Sequence, residues 1–562
     1  MSTFFGRELD VQEEISEILK NFIDKKFHDV VIKRIVKEYD RGLKPRRADI
    51  AILKDDGLPL MIIETKKEKH GTKDKRTRFL VSSNEVLGQV FAYAALLKKN
   101  GIYVPFAATA NDSQIMVFEV PEDIDKHVNW EAIEKRDYEK VLTEDYIYNV
   151  LRANYLLFHK QIRFTEDFLA DIVDTITGIY TKKYKVEEKR QGLYWILIED
   201  LRGFVDFLTP FVLDAISNKP DIEKLIDEYA KSKGYKPSLD QLAREMAYVL
   251  MNKIVFYKVL EQHYADLKRL EPLYSRGVVK TVSEYLKRFK ELFDDATKVT
   301  GDFEAIFKTG IYDSIDIVEN EEVLKAFDWI IRLIDHYSID KFGDLMGYVY
   351  EDLIPAEERH TLGQFYTPKP IAELIVKWAL KDSDDKVLDP GCGSGTFLVE
   401  AYKRLSELKL KKPFKEIRFV PKDVHKQVLD QLVGIDINEF PAQLTAMNLA
   451  MRNPKVPSTN INVIPEDYFS IIPGQKRLLP YRAKTVEGEK PVEIVFKDFD
   501  VVVGNPPYTR WTEIPDPTKD LIMNRYRDVI TKYGLTPQVS RGIEVGIYVY
   551  WIIHATNFLK EG

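Results

Sequence analysis

The chain has 562 residues, 45% hydrophobic and 31% charged, with 83 Lys and Arg against 90 Asp and Glu for a formal charge of −7. This length predicts roughly three or four domains with their own cores, the composition excludes wholesale disorder or a fibrous repeat, and the negative balance excludes general coating of nucleic acid, though not a local basic groove. A single cysteine, Cys392, rules out an intrachain disulfide and a Cys-ligated zinc site. No apolar run reaches the roughly 20 residues of a membrane span, and residues 1–10 lack a secretory apolar region, so a cytoplasmic protein is expected.

Residues 1–165 read as a small α/β domain. An amphipathic helix over 9–22 leads into an apolar run at 30–36 and then two strands, 48–53 and 59–66, joined by the turn Asp55-Asp56-Gly57. A helix over 83–98 follows, and a second hairpin pairs 103–109 with 114–120 across Asn111-Asp112. Within this region Asp49 begins one strand, while Glu64 and Lys66 stand two apart on the next and so project from one face. The run Met61-Ile62-Ile63 predicts burial up to Glu64, and Gln89 and Tyr93 lie four apart on one helix face. Two carboxylates and a lysine on one sheet edge suit Mg2+-assisted phosphodiester hydrolysis, with Asp49 and Glu64 as metal ligands. The bland alternative is a solvated hairpin. Residues 66–78 hold seven Lys or Arg against two acids, and with Arg41, Lys44, Arg46 and Arg47 they form a candidate surface for a phosphate backbone.

Residues 166–345 change character. Apolar positions recur at helical spacing, as in Ala247, Leu250, Met251, Ile254 and Val255, and predict an all-α connector. Beyond 346, short apolar strands at 386–389, 432–436, 462–464 and 499–504 alternate with helices, the pattern of a doubly wound, Rossmann-like parallel sheet.

Asp389-Pro390-Gly391-Cys392-Gly393-Ser394-Gly395-Thr396-Phe397 follows the first of these strands and opens a helix, where glycines let backbone approach a nucleotide-like ligand. The second strand ends in Asp436, placed to accept from ribose hydroxyls, and the third is followed by Asp467, either an adenine-reading carboxylate or a helix cap. The fourth runs into Asn505-Pro506-Pro507-Tyr508. Two prolines fix that backbone, so the Asn505 side-chain oxygen and the Pro506 carbonyl can converge on an exocyclic amine and aim its lone pair at a methyl donor. Tyr508 offers a stacking surface for a base swung out of the duplex.

With these motifs in hand, residues 346–562 resemble an N6-adenine DNA methyltransferase of the gamma arrangement, because Gly363-Gln364-Phe365-Tyr366-Thr367-Pro368 precedes the glycine loop. The resemblance implies S-adenosylmethionine as cofactor, with Phe365, Tyr366 and Thr367 enclosing it, Asp389 and the loop Gly391, Gly393, Gly395, Thr396 and Phe397 holding its methionine part, Asp436 its ribose and Asp467 its adenine. Asp49, Glu64, Lys66, Gln89 and Tyr93 resemble the PD-(D/E)xK nucleases, including the Gln-x-x-x-Tyr element of the RecB-like members, with Ala48 where that family has proline. Nuclease, connector and methyltransferase in this order resemble type IIG or IIL restriction-modification enzymes. That resemblance implies adenine methylation of a specific double-stranded DNA sequence and Mg2+-dependent cleavage of unmethylated DNA. Two alternatives stand beside it: a DNA methyltransferase whose first domain only binds DNA, and a protein methyltransferase, since Asn-Pro-Pro-Tyr also occurs there. The 54 residues after Tyr508 end in an apolar helical stretch at 547–559. Further strands and a target-recognition domain are expected elsewhere, in a longer chain or a separate polypeptide, and without them the strand ending at Gly504 is expected to be an unpaired sheet edge.

Overall fold

The computed structural model describes residues 11–66, 69–71, 75–77, 80–184, 193–219, 222–233, 237–301, 303–336, 367–417, 420–453, 456, 461–485, 488–514, 516–537 and 545–561. They divide into two compact units, 1–208 with 320–330, and 209–319 with 331–562. The helical stretch at 166–345 is shared between them. Every described element from Glu166 to His336 is a helix, and no described helix is long and apolar enough to cross a membrane.

The first unit is built on a seven-stranded sheet. Its strands are β1 (Lys26–Phe27), β2 (Val30–Tyr39), β3 (Ala48–Lys54) and β4 (Pro59–Thr65), followed by β7 (Phe106–Ala110), β8 (Gln114–Glu119) and β9 (Leu156–Gln161), in spatial order β1-β2-β3-β4-β7-β8-β9. A separate hairpin pairs β5 (Lys69–Gly71) with β6 (Lys75–Thr77). Alternation along the strands sorts side chains onto two apolar layers. Ile50, Ile52, Met61 and Ile63 face one layer with the helices Val11–Lys20 and Glu166–Tyr180, whereas Ala51, Leu53 and Ile62 face the helix Asn84–Lys99. Ser83 starts that last helix by accepting from the Val86 N–H at 3.4 Å. The crossover from β4 through this helix to β7 makes those two strands parallel. Strand β9 was not expected from sequence. Its residues Leu156 to His159 are all buried, so they lack the alternation by which a half-buried strand is recognised.

The second unit contains a four-stranded parallel sheet of β10 (Val387–Asp389), β11 (Leu432–Asp436), β12 (Asn462–Pro465) and β15 (Val501–Val502), in the order β12-β11-β10-β15. Between β12 and β15 lies an antiparallel hairpin, β13 (Lys476–Thr485) with β14 (Gly488–Val495). Its dense charge and its prolines Pro480 and Pro491 hide it from a strand search. The chain moves outward from β10 to β12 and then returns to the other flank of β10, so β10 and β15 bound the topological switch point, where ligands of such sheets bind. The strand expected over 499–504 is shorter than its apolar run. The backbone leaves the ladder before Asn505-Pro506-Pro507, where two prolines remove donors. As the last strand of this order, β15 pairs on one side only, with β10, and a single bridge just ahead of it adds a second partner. Phe499 forms a parallel bridge with Leu559, donating to the Phe558 carbonyl and accepting from the Lys560 N–H, each at 3.0 Å.

Candidate active sites

At the switch point of the second unit, Asp389 ends β10 and its carboxyl is almost fully buried. Oδ1 accepts from the Gly391 N–H at 3.2 Å, while Oδ2 is buried without a hydrogen-bond partner among the described residues. Burial, with the charge of Asp436 adding to it, pushes this carboxyl up to about 8. Such a group needs a donor or a positive charge to be satisfied. The glycine loop then turns back on β11: the Cys392 N–H donates to the Ile435 carbonyl at 2.9 Å, and the Gly393 N–H donates to Asp436 Oδ2 at 3.0 Å. Gly395 adopts φ +89° as the residue before the helix Thr396–Leu410, a conformation that glycine alone takes without strain. Phe397 in the first turn is buried and Thr396 half-buried.

Two residues that sequence reading missed fasten the loop. In the helix Glu439–Ala450, Thr445 Oγ1 donates to the Gly393 carbonyl at 2.7 Å and Asn448 Nδ2 to the Ser394 carbonyl at 2.8 Å. Their spacing of three, polar residues on a helix buried all round, was the available signal.

The tetrapeptide meets the glycine loop. A Cβ placed on Gly391 would lie 3.8 Å from the Asn505 main-chain oxygen and 3.9 Å from Trp551 Nε1. One placed on Gly504 would lie 2.6 Å from Asp389 Oδ1 and 3.4 Å from the Trp551 ring. Asn505, Pro506 and Pro507 are half-buried and Tyr508 is exposed. The Tyr508 ring sits 6.0 Å from that of Tyr548 at an interplanar angle of 42°, and the Ile547 N–H donates to the Thr509 carbonyl at 3.1 Å. The helix Ile547–Ala555 therefore backs the tetrapeptide, with Trp551 beneath it. In sequence this stretch shows only as apolar. Gly504→Ala is expected to displace the Asp389 carboxyl, because the added Cβ would lie 2.6 Å from its Oδ1 with the Trp551 ring in contact on another side. Overpacking of this kind costs about 1–3 kcal/mol, so a lowered melting temperature together with weakened cofactor binding in calorimetry is the expected outcome.

Asp467 caps the short turn Tyr468–Ser470: Oδ1 accepts from the Phe469 N–H at 2.9 Å and Oδ2 from the Thr518 hydroxyl at 2.8 Å. Thr367 is half-buried just ahead of the helix Lys369–Ala379. Phe365 and Tyr366 lie outside the described residues.

In the first unit, the β3–β4 register pairs Ile50 with Ile63 and Ala51 with Ile62. One step further along this ladder, Asp49 stands opposite Glu64. Like charges placed opposite each other destabilise a sheet. Asp49 Oδ2 accepts from the Thr65 N–H at 2.8 Å and the Thr65 hydroxyl at 2.7 Å. Glu64 Oε1 accepts from Gln89 Nε2 at 2.5 Å and lies 3.4 Å from Lys66 Nζ, whereas Oε2 is buried without a partner among the described residues. Burial and then the Asp49 charge push Glu64 up to about 8, and burial also raises Asp49. Lys66 donates to Gln89 Oε1, and Gln89 Nε2 lies 3.0 Å from the Tyr93 hydroxyl, whose ionisation burial opposes. The structure thus brings all five residues together where the helix Asn84–Lys99, carrying Gln89 and Tyr93, packs on the sheet end that bears Asp49, Glu64 and Lys66. Glu38, unremarked in the sequence, adds negative charge to both carboxyls from a left-handed backbone position (φ +52°) on β2. Among the described residues, no group of three or more His, Cys, Asp or Glu is arranged to hold a metal ion.

Part of the candidate basic surface is already engaged. Arg46 donates to the Ile133 and Glu134 carbonyls, Arg47 pairs with Glu38 at 3.6 Å, and Lys44 pairs with Asp40 at 3.7 Å. Of residues 66–78, positions 67–68, 72–74 and 78 lie outside the described residues.

Residues 338–562 match the protein-family model described as N-6 DNA Methylase. Over 262 residues the chain is 28% identical to the Type I restriction enzyme MpnII methylase subunit of Mycoplasma pneumoniae, covering 42% of each. Over 377 residues it is 23% identical to a putative type II restriction enzyme and methyltransferase of Methanocaldococcus jannaschii, covering 51% of this chain and 31% of that one. It therefore spans less than half the length of either relative. Among solved structures it is similar to the type IIG restriction endonuclease BpuSI, at 16% identity and a TM-score of 0.37, covering 100% of this chain and 52% of that one.

Proposed function

We propose that the chain belongs to a bifunctional restriction-modification enzyme: a nuclease domain at 1–165, a helical connector at 166–345, and a DNA adenine methyltransferase domain at 346–562. The observation that carries the methyltransferase half is the approach of the Asn505 main-chain oxygen to Gly391, with Gly504 against Asp389. A cofactor loop and a fixed tetrapeptide then share one crevice.

The residues at the switch point fit S-adenosylmethionine, which when bound supplies an electrophilic methyl group. Asp389 Oδ2, buried and unsatisfied among the described residues, would accept from the ammonium of its amino-acid part. Asp436 would receive its ribose hydroxyls and Asp467 its adenine amine, with Phe365, Tyr366 and Thr367 closing over it. The Asn505 side-chain oxygen and the Pro506 carbonyl would accept from the target adenine N6 amine, drawing its lone pair out of the ring and toward the methyl group. Tyr508 would stack on the extruded base.

In the first unit, Asp49 and Glu64 Oε2, unpartnered among the described residues, fit Mg2+, a hard cation commonly held by one or two carboxylates, with water and phosphate completing its shell. The ion would polarise the phosphodiester and acidify bound water. Lys66, held between Glu64 and Gln89, would stabilise the negative charge that develops on phosphate. Tyr93 orients Gln89 from the next helical turn.

The test uses unmethylated duplex DNA of phage complexity. Transfer of a tritiated methyl group to adenine, and fragmentation that requires Mg2+, are the expected results. Methylation without any Mg2+-dependent cutting would favour a first domain that only binds DNA. Transfer to protein but not DNA would remove the proposal.

A further inference from the structure

Within the second unit, a line of buried polar contacts joins the helical segment to the acid at the end of β11. Glu245, in the helix Leu239–Leu260, is fully buried. Gln241 donates to its Oε1 at 3.1 Å, and the Tyr312 hydroxyl donates to its Oε2 at 2.8 Å. The Tyr312 hydroxyl also lies 3.0 Å from Asn438 Oδ1, with the Tyr229 hydroxyl at 3.5 Å.

Asn438 connects this cluster to the cofactor crevice. Its Oδ1 caps the helix Glu439–Ala450 by accepting from the Phe440 N–H at 3.0 Å, and its own N–H donates to Asp436 Oδ1 at 2.9 Å. The other Asp436 oxygen holds the Gly393 N–H. The one proton of the Tyr312 hydroxyl is shared between Glu245 Oε2 and Asn438 Oδ1, which holds both acceptors to a single donor in an interior where a missing partner is costly. A buried carboxyl surrounded by neutral donors is a poor way to gain stability, since well-packed apolar side chains of the same volume do as well or better. What it does supply is a fixed orientation.

We propose that Glu245 and Tyr312 are positioning residues for the cofactor: they fix Asn438, which orients Asp436 and the Gly393 turn, so that the helical segment governs cofactor affinity. This rests on Asp436 being the ribose-binding carboxylate. Glu245 and Tyr312 act only through Asn438.

Tyr312→Phe removes one hydroxyl and keeps the ring that packs on Phe440. The full chain is titrated with S-adenosylmethionine by calorimetry and, separately, with duplex DNA. Outer-shell partners of this kind are worth roughly 10- to 100-fold, so about a tenfold rise in the cofactor Kd is expected, with DNA affinity unchanged. Glu245→Gln, which keeps the shape and one acceptor, should lose less than Glu245→Ala. It also carries the test if Tyr312→Phe does not fold. An unchanged cofactor Kd, or equal losses toward cofactor and DNA, would overturn the inference. Asp436→Ala separates the two levels. If it leaves cofactor binding intact, the underlying reading of Asp436 fails. If it abolishes binding while folded Tyr312→Phe binds normally, only the relay fails.

Discussion

Replacing Asn505 with alanine is expected to lower methyl transfer to duplex DNA roughly 100- to 1,000-fold while leaving S-adenosylmethionine binding unchanged. The side chain is proposed to supply one of two acceptors for an exocyclic amine, the Pro506 carbonyl being the other. The substitution deletes an interaction that strengthens as the nitrogen gains tetrahedral character, so the loss falls on kcat rather than on cofactor affinity. The backbone should survive the change, because Pro506, Pro507 and the Ile547 to Thr509 hydrogen bond hold it independently of the Asn505 side chain. Single-turnover transfer of a tritiated methyl group, paired with calorimetric titration of the cofactor, separates these quantities. Full transfer by Asn505→Ala would remove the tetrapeptide from the chemistry. Loss of cofactor binding would instead make Asn505 a wall of the cofactor pocket.

The second large effect concerns the first unit. Glu64→Gln is expected to reduce Mg2+-dependent cleavage by more than roughly 100-fold, since even outer-shell partners of metal ligands are worth 10- to 100-fold, while methyl transfer stays intact. The sign of the pH dependence follows from the buried carboxyl. Its ionisation is pushed up to about 8 by burial and by Asp49, so below that pH it holds a proton that a cation must displace. At limiting Mg2+, cleavage by the wild type should rise with pH up to about 8 and flatten above it. Saturating Mg2+ should shift that rise to lower pH. Cleavage by Glu64→Gln equal to wild type would leave the opposed carboxyls without a catalytic part.

Much of both candidate sites could be read from residue order, because the rules involved are short-range. Glu64 and Lys66 share a face by the period of two, Gln89 and Tyr93 by the helical turn, and the Asp389 loop joins a strand to a helix. The contacts that needed coordinates are those between distant segments. Nothing local marks Trp551 as the floor under Gly504, or Thr445 and Asn448 as the clamp on the glycine turn, because each looks like ordinary interior of an apolar helix. Asp467 was open between ligand and cap in sequence, and the bond its Oδ2 accepts from Thr518, 51 residues on, is another contact that residue order does not mark. The bridge at Phe499 was missed for a related reason. Its partner Leu559 lies beyond a helix, and a parallel neighbour of that kind leaves no turn signal. Arg46 looked like part of a phosphate-tracking surface, yet its guanidinium is spent on the carbonyls ending the helix Trp130–Lys135.

The direct pairing of β10 with β15, Val387 against Val501, bears on how the molecule comes into being. Two strands so far apart in the chain can join only after a long loop has closed, and such contacts are among the slowest to form. The crevice at their ends is therefore expected to form late, and if it holds the cofactor as proposed, binding during refolding should appear only after most secondary structure has formed, an order that stopped-flow mixing would check.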